Sequence, residues 1–459
     1  MFHWDKPAKP GNKLVLPAKI KDSNGYFLTV VGAELRPGYS CPGITEVVLP
    51  ETMEYIGGYA FSGSALTKMN IPKNLAKIKE SAWNSLYSAP VYTVHPQNKH
   101  FEVDASGTLY SKGRQTLYSV PSSISLPSGV YTVDSHVENI VLSAFQSVTN
   151  LTKLKLPVGL KKIWDGYPTI APSAKLAAVE IPAGNAHFKS IDGVLFRDND
   201  LVLYPRAKAD KVYTVPTAIT GIVNYAISAT SKLEQIKLNN VKTLLRSAIY
   251  NATLLTTITI PKKMKPYDEA TKEGMAEGCF ESCPKLMNYV VEAGNDYYEA
   301  DNGVLFSKGK KILYFYPASK PNNTYTIPGT VETISVHAFQ GSKNITSMYI
   351  PANVKAIKAE AFRDLPNLKT LTFDPNSKVE SIEYYAFRDC RKLKEVTLPK
   401  SLLSLGEIFH MCTDLETINI PAGSKLHDIK VKAFATNANL KAFNFLGDCA
   451  LTKIEKNVF

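Results

Sequence analysis

Apolar residues recur along this chain in two alternating phrases. The first is L-x-x-h-x-h-P, with h apolar. It reads ITEVVLP at 44–50, LTKMNIP at 66–72, LTKLKLP at 151–157 and LAAVEIP at 176–182. Later copies are LTTITIP at 255–261, ITSMYIP at 345–351, LKEVTLP at 393–399 and LETINIP at 415–421. Its last positions alternate apolar and polar, which predicts a short strand with one buried face. Proline then removes a ladder donor and fixes φ, so the strand ends and the chain turns.

The second phrase is I-x-x-x-A-F, at 334–339, 357–362, 382–387 and 429–434. Variants stand at 56–61, 78–83, 140–145, 222–227 and 244–249, and the chain closes on another at 454–459. The x-x-V-x-x-I stretch before it predicts a second short extended segment, and A-F a tight turn with its aromatic inside. Where the repeat is cleanest the period is 22 or 23 residues: Pro50 to Pro72, Pro328 to Pro351, Pro399 to Pro421. One such repeat buries too few side chains to offset the ordering of its backbone, so neighbours must stack. The expected fold is a β-rich repeat solenoid of short strands and turns. Residues 1–28 are expected as a lead-in or cap, and 29–459 as a single solenoid.

The combined phrase L-x-x-I-x-I-P-x-x-V-x-x-I-x-x-x-A-F-x-x-C resembles the BspA-like (Treponema pallidum-type) leucine-rich repeat proteins, from about residue 29 onward. The resemblance implies a bacterial protein that is secreted or displayed at the cell surface. It also implies a non-enzymatic adhesin recognising an extracellular protein or glycan.

Three segments depart from the repeat: 98–121, 185–205 and 295–317. Each runs Asn, an aromatic, G-x-L-aromatic, a polar turn and L-Tyr. GVLFSKGKKILY reads as a β-hairpin about a Lys-Gly-Lys turn. Two roles are open to these hairpins: elaborated repeats that extend the stack, or protruding binding elements on a rigid scaffold.

Composition adds little. The chain of 459 residues is too long for one ordinary core, and 44% hydrophobic with 20% charged residues fits a folded chain. No apolar run reaches transmembrane length, and the N-terminus MFHWDKPAKPGNK shows no signal-peptide core. The net charge of +12 is spread without a cationic block, so no specific nucleic-acid partner is expected.

Candidate chemistry dissolves into the repeat. Cys283, Cys390 and Cys412 each follow the repeat aromatic (Phe280, Phe387, Phe409) by three residues. Cys41 holds the same slot in a repeat whose aromatic is replaced by Gly38, and Cys279 replaces the alanine of A-F. Cys449 has a less definite phase. Arg388, Arg391 and Lys392 around Cys390 suggest an activated thiolate, but the fixed phase points to a buried slot filled by a small hydrophobe. There is no C-x-x-C, H-E-x-x-H, G-x-S-x-G or phosphate-loop spacing, and Asp198 and Asp200 read as a hairpin turn. No catalytic residue, metal site or cofactor is expected.

The residue between the two h positions should face solvent on every repeat. That row includes Val48, Asn70, Lys155, Glu180, Lys237, Thr259, Val290, Tyr349, Thr372, Thr397, Asn419 and Asn444. Toward the C-terminus it is nearly uncharged and rich in Thr and Asn. Lysines such as Lys73, Lys161, Lys162, Lys262, Lys355, Lys358 and Lys400 fall in the turn after proline and form a basic flank. Thr has high β propensity and Asn forms ladders, so the row could serve strand stability alone. As a binding face it would use Tyr349 as aromatic anchor, with Thr372, Thr397, Asn419 and Lys237. A structural spacer or surface-layer component and a carbohydrate-active enzyme built on the hairpins are the competing classes. The final repeat lacks a polar cap, so self-association through the C-terminal end is a further expectation.

Overall fold

The computed structural model describes residues 12–21, 26–34, 41, 43–83, 86–141, 143–163 and 173–458. Gly38 and Phe459 lie outside them. The described chain divides into two compact units, Met1–Ala209 with Val223–Ser228, and Asp210–Ile222 with Ala229–Phe459. Both units are β-solenoid. Among the described residues the only helical element is one 3₁₀ turn, Lys308–Lys310.

In the first unit the L-x-x-h-x-h phrases form a parallel ladder of Ile44–Val48, Lys68–Ile71 and Val91–Val94, with Asn12–Val15 on its outer edge. The V-x-x-I stretches form a second ladder, Gly32–Ala33, Tyr55–Ile56 and Lys77–Ile78. The second unit repeats the plan. Val212–Thr214, Gln235–Lys237, Thr257–Ile260 and Asn288–Val291 make one ladder, and Thr324–Thr326, Ser347–Ile350 and Thr370–Phe373 another. Strand burial alternates as the sequence pattern requires: Met348 and Ile350 point inward and Tyr349 outward.

A third side is built by A-F. Each aromatic enters the core, and in the second unit they form a column. Phe339 and Phe362 stack at 4.9 Å, Phe362 and Phe387 at 4.9 Å with planes 1° apart, and Phe387 and Phe409 at 5.6 Å. Backbone bonds run beside this column: Phe339, Phe362 and Phe387 donate N–H to the carbonyls of Ala361, Ala386 and Ile408. The residue before the alanine takes a left-handed backbone, as at Tyr59, His337, Glu360 and Tyr385 (φ 56 to 60°). A non-glycine residue in that region costs roughly 1–2 kcal/mol, and stacking of the turns offsets it.

The three departures are longer than the expected hairpins. Each is a three-stranded antiparallel meander: Phe101–Val103, Leu109–Ser111 and Thr116–Ser119; Phe188–Ile191, Val194–Arg197 and Asp200–Leu203; Tyr298–Asp301, Val304–Ser307 and Ile312–Phe315. The extra first strand turns at Asp192-Gly193 and Asn302-Gly303, all four residues with positive φ, as a tight hairpin turn needs. Middle strands such as Val304, Leu305 and Phe306 are fully buried. Last strands join the V-x-x-I ladders, Ile312–Phe315 pairing with Thr333–Ile334. The segments are therefore built into the stack.

The leading Asn of each meander explains its place in the sequence. Buried Asn295 donates through Nδ2 to the carbonyls of Pro261 and Met264, while its Oδ1 accepts the N–H groups of Tyr297 and Tyr298. Asn98 and Asn185 make the equivalent bonds. One amide thereby satisfies backbone groups of two successive turns of chain.

All six cysteines are free thiols. Cys390 is fully buried, and burial raises its thiol well above the ordinary range despite its basic neighbours. Its slot is not merely apolar, however. Cys390 Sγ donates to the carbonyl of Phe362 at 3.2 Å and Cys412 Sγ to that of Phe387 at 3.0 Å. Asn437, three residues after Phe434, does the same to Phe409 at 2.8 Å. In these three repeats the slot residue caps the preceding turn's aromatic carbonyl, whereas Val148 and Leu365 fill the same slot with carbon alone.

The A-F turns also hold a buried polar cluster that sequence inspection missed, because its members come from different repeats. His337, 4% exposed, places Nε2 3.5 Å from Glu360 Oε2. Arg363 Nη1 donates to the same oxygen at 2.5 Å and lies 3.9 Å from Glu281. His337 first and Arg363 next hold the Glu360 carboxyl down at about 2.

Candidate ligand-binding face

The exposed row of the second unit is aligned by strand register. Thr326, Tyr349 and Thr372 are neighbours across one ladder, and Thr397, Asn419 and Asn444 across the next. Beside them run Thr324, Ser347 and Thr370, then Glu395, Thr417 and Ala442. Period-2 alternation sends all these side chains to one face.

Among its described strands that face is interrupted twice, between Asn288–Val291 and Thr324–Thr326, where the third meander intervenes, and again one ladder later. No ladder joins Thr370–Phe373 to Glu395–Thr397, and none joins Ser381–Ile382 to Ser404–Leu405. The third side of the same step stays bonded: Tyr385, Phe387 and Asp389 donate to Glu407, Ile408 and His410, each at 2.9 Å. Two repeats thus remain joined at their aromatic column, and on the V-x-x-I side through Leu403 N–H on the Glu380 carbonyl and Ser401 Oγ on that of Val379, while their L-x-x-h-x-h strands share no ladder. A groove of about 580 Å³ opens there, lined by 369–375, by Lys394, Glu395 and 397–400, and by Pro421.

The groove has an ordered polar rim. Tyr349, 46% exposed, donates its hydroxyl to Asp374 Oδ2 at 2.5 Å, and Asn376 N–H donates to Oδ1 at 2.7 Å. The Tyr349 bond first and the Asn376 bond next lower the Asp374 pKa, while the Tyr349 hydroxyl is raised, chiefly by the same bond. Across the groove, Asn419 Nδ2 donates to Glu395 Oε1 at 2.7 Å and Thr397 Oγ1 at 3.4 Å, and its Oδ1 accepts from Asn444. Both carboxylates are therefore oriented by neutral donors.

The structure brings Tyr349, Thr372, Thr397 and Asn419 to this neighbourhood, with Thr372 and Thr397 lining the groove itself. Asn419 departs from the expected full exposure: at 8% it is tucked beneath its partners and acts through them. Lys237 is exposed but belongs to another ladder, between Thr214 and Thr259. Asp374, Lys369 and Lys394 were not singled out in the sequence, and Glu395 was read only as an outward-facing strand residue. Lys394 and Glu395 are the two variable positions of LKEVTLP, Lys369 is the equivalent of Lys394 in the preceding repeat, and Asp374 stands where that repeat's proline would be; the groove brings them together. The basic flank is in part neutralised, since Lys161, Lys355 and Lys358 pair with Glu138, Glu332 and Glu383 at 2.8, 2.8 and 3.0 Å.

Among the described residues no three His, Cys, Asp or Glu side chains group as a metal site, and no helix is long and apolar enough to cross a membrane. Asp198 and Asp200 flank the tight turn that closes Arg197 on Asp200.

Sequence comparison matches the BspA-type leucine-rich repeat model, in six copies, to residues 39–104, 122–201, 209–301 and 332–459. The chain belongs to the BspA-type leucine-rich repeat family. No curated protein matches it. Among solved structures it is similar to a leucine-rich cell surface protein from Faecalibacterium prausnitzii A2-165, with 20% identity and a TM-score of 0.47, covering 96% of this chain and 89% of that one. A leucine-rich repeat protein from Eubacterium ventriosum aligns at 16% identity and a TM-score of 0.40, over 93% and 82% of the two chains. The pneumococcal vaccine antigen PcpA aligns at 14% identity and 0.34, over 97% and 90%.

Proposed function

We propose that this BspA-type repeat protein is a non-enzymatic binding protein of the bacterial surface or extracellular space. It acts as an adhesin that grips a macromolecular partner through the sheet face of 324–445. The observation that carries the reading is the groove in that face, bordered by an exposed tyrosine and by threonine hydroxyls. Rigid scaffolds with pre-oriented polar groups bind without a large ordering cost, and solenoids present extended surfaces of this kind.

The groove does contain two carboxylates, Asp374 and Glu395, which invites comparison with a glycosidase. Such an enzyme needs one carboxylic acid protonated near neutral pH, with a raised pKa. The Asp374 pKa is lowered by its Tyr349 and Asn376 bonds, which suits a hydrogen-bond acceptor, and Asn419 orients Glu395 in the same way; these ordered acceptors support the binding role.

The test is a binding panel of extracellular-matrix proteins and glycans, run with the intact chain and with a Tyr349→Ala/Thr372→Ala double variant. Loss of the confirmed ligand in the double variant supports the reading. Undiminished binding removes this face. If no ligand is found and the chain self-associates through its repeats, the spacer role replaces the adhesin.

A further inference from the structure

The step between 370–387 and 395–409 holds a pair of side chains that the binding role does not use. We infer that Cys390 and Cys412, stacked on the aromatic side of that step, are an oxidisable pair that closes into a disulfide bond. The inference goes beyond the adhesin reading and takes from it only the compartment, since disulfides form and persist in the oxidising space outside the cell.

The repeat itself brings the pair together. Cys390 stands three residues after Phe387 and Cys412 three after Phe409, so they fill one slot in successive turns. Phe387 and Asp389 donate N–H to the carbonyls of Ile408 and His410 at 2.9 Å, and the Phe387 and Phe409 rings lie 5.6 Å apart. Chains bonded in this way run about 4.7–5.5 Å apart, and a disulfide needs Cα atoms about 4.4–6.8 Å apart. The thiols are in contact: Cys412 lies within hydrogen-bonding reach of Cys390 and, next to burial, is what raises the Cys390 thiol. Both side chains are fully buried and point the same way, toward the carbonyls of Phe362 and Phe387. No other two cysteines share a slot in neighbouring repeats, for Ser64 follows Cys41 and Ser342 follows Cys283.

This step is also where a covalent link has most to hold. Neither strand ladder crosses it. The steps before and after keep both ladders, and their slots pair Cys390 with Leu365 and Cys412 with Asn437. Neither cysteine lines the groove, so the bond secures the aromatic side and leaves the binding face open. The oxidant is a small disulfide, R–S–S–R, such as oxidised glutathione. Burial keeps it from both sulfurs in the packed chain, so reaction follows opening of the step or precedes its packing during folding. One cysteine loses its proton, and the thiolate attacks an oxidant sulfur to form a mixed disulfide, expelling R–S⁻, which takes up a proton. The second cysteine, also deprotonated, attacks the protein sulfur of the mixed disulfide and expels the other R–S⁻, which is protonated in turn. Two protein thiols are thereby oxidised, and the oxidant is reduced to two molecules of R–SH.

The experiment unfolds the full chain in denaturant and refolds it in reduced and oxidised glutathione, beside a sample kept reduced throughout. Remaining thiols are alkylated in denaturant, and peptides are mapped by mass spectrometry without reduction. The thiol count is expected to fall from six to four, two being consumed, with one cross-link joining the Cys390 and Cys412 peptides. The closed form should melt about 5 °C or more above the reduced form, because the link restricts the unfolded chain. Cys412→Ser keeps a donor for the Phe387 carbonyl, and it should leave Cys390 unlinked and melt alike in both buffers. The inference is overturned if both thiols stay reduced, or if Cys390 links elsewhere, such as to Cys449. It is also overturned if the closed form melts at or below the reduced form, since the pair would then be strained rather than poised. None of these outcomes depends on the ligand panel, so the disulfide and the adhesin reading stand or fall separately.

Discussion

The repeats at 370–387 and 395–409 are closed on one side and open on the other. On the aromatic side Phe387 lies over Phe362 and next to Phe409, and backbone bonds cross the step. Between the L-x-x-h-x-h strands the ladder is missing and a groove takes its place. The contrast shows how a repeat protein acquires a site without leaving its pattern. The aromatic column supplies the burial that holds the stack together, so the sheet can part at one step while the fold persists.

The largest expected effect comes from attacking the closed side. Phe387→Ala removes a fully buried ring from the column and should destabilise the second unit by about 3–5 kcal/mol, measured by urea unfolding. A loss below about 1 kcal/mol would mean the column does not hold the step. Next, Asn437→Ala removes a buried amide that donates to the Phe409 and Cys412 carbonyls, each of which keeps a backbone N–H bond, and should cost about 0.5–1.5 kcal/mol in the same measurement.

The pH response also belongs to the closed side. The folded-state pKa of Glu360, about 2, lies below its value in an unfolded chain, about 4.3. Its ion pairs therefore add stability that is present above pH about 4 and is lost as pH falls toward 2. Glu360→Gln should flatten that part of the acid-unfolding curve; an unchanged curve would exclude Glu360 as its origin. Cys390 should be inert. In the folded chain a disulfide-exchange reagent should label it no faster than the structure opens, whereas all six thiols react in denaturant. Rapid labelling in the native state would contradict the closed packing.

The smallest stability effect is expected on the open side. Thr372→Val should change stability by less than about 0.5 kcal/mol, since the side chain is exposed and its isostere suits a strand. If Thr372→Val proves as damaging as Asn437→Ala, the threonine row is structural and the contrast between the two sides collapses.

Much of the fold is legible in the linear pattern. The two phrases fix which residues face inward, and Cys390, Phe387, Val396 and Leu398 are all buried as their phase requires. The outward row is also legible, because alternation in a strand depends only on the parity of position. Less visible were the extra strand of each meander and the capping role of its asparagine. The extra strand was signalled by Asp192-Gly193 and Asn302-Gly303 in two of the meanders, and the asparagine by its place three residues before an aromatic in all three, but the bonds that asparagine makes to the preceding turn span 23 to 34 residues.

The sequence by itself determined a stacked repeat, the inward and outward faces of each strand, and the absence of reactive chemistry at Cys390. These follow from local periodicity and the need to bury one face. Only the tertiary structure decided where the L-x-x-h-x-h ladder breaks, and that His337, Glu360 and Arg363 meet. Those features depend on how a repeat sits on its neighbour, and no residue's own sequence surroundings encode that fit. The segment AFRDCRKLKEVTLP, residues 386–399, shows both kinds of information at once. Its cysteine was placed by phase alone, while Thr397 became part of a groove because Asp374 and Lys369, on the repeat before it, stand across an open step.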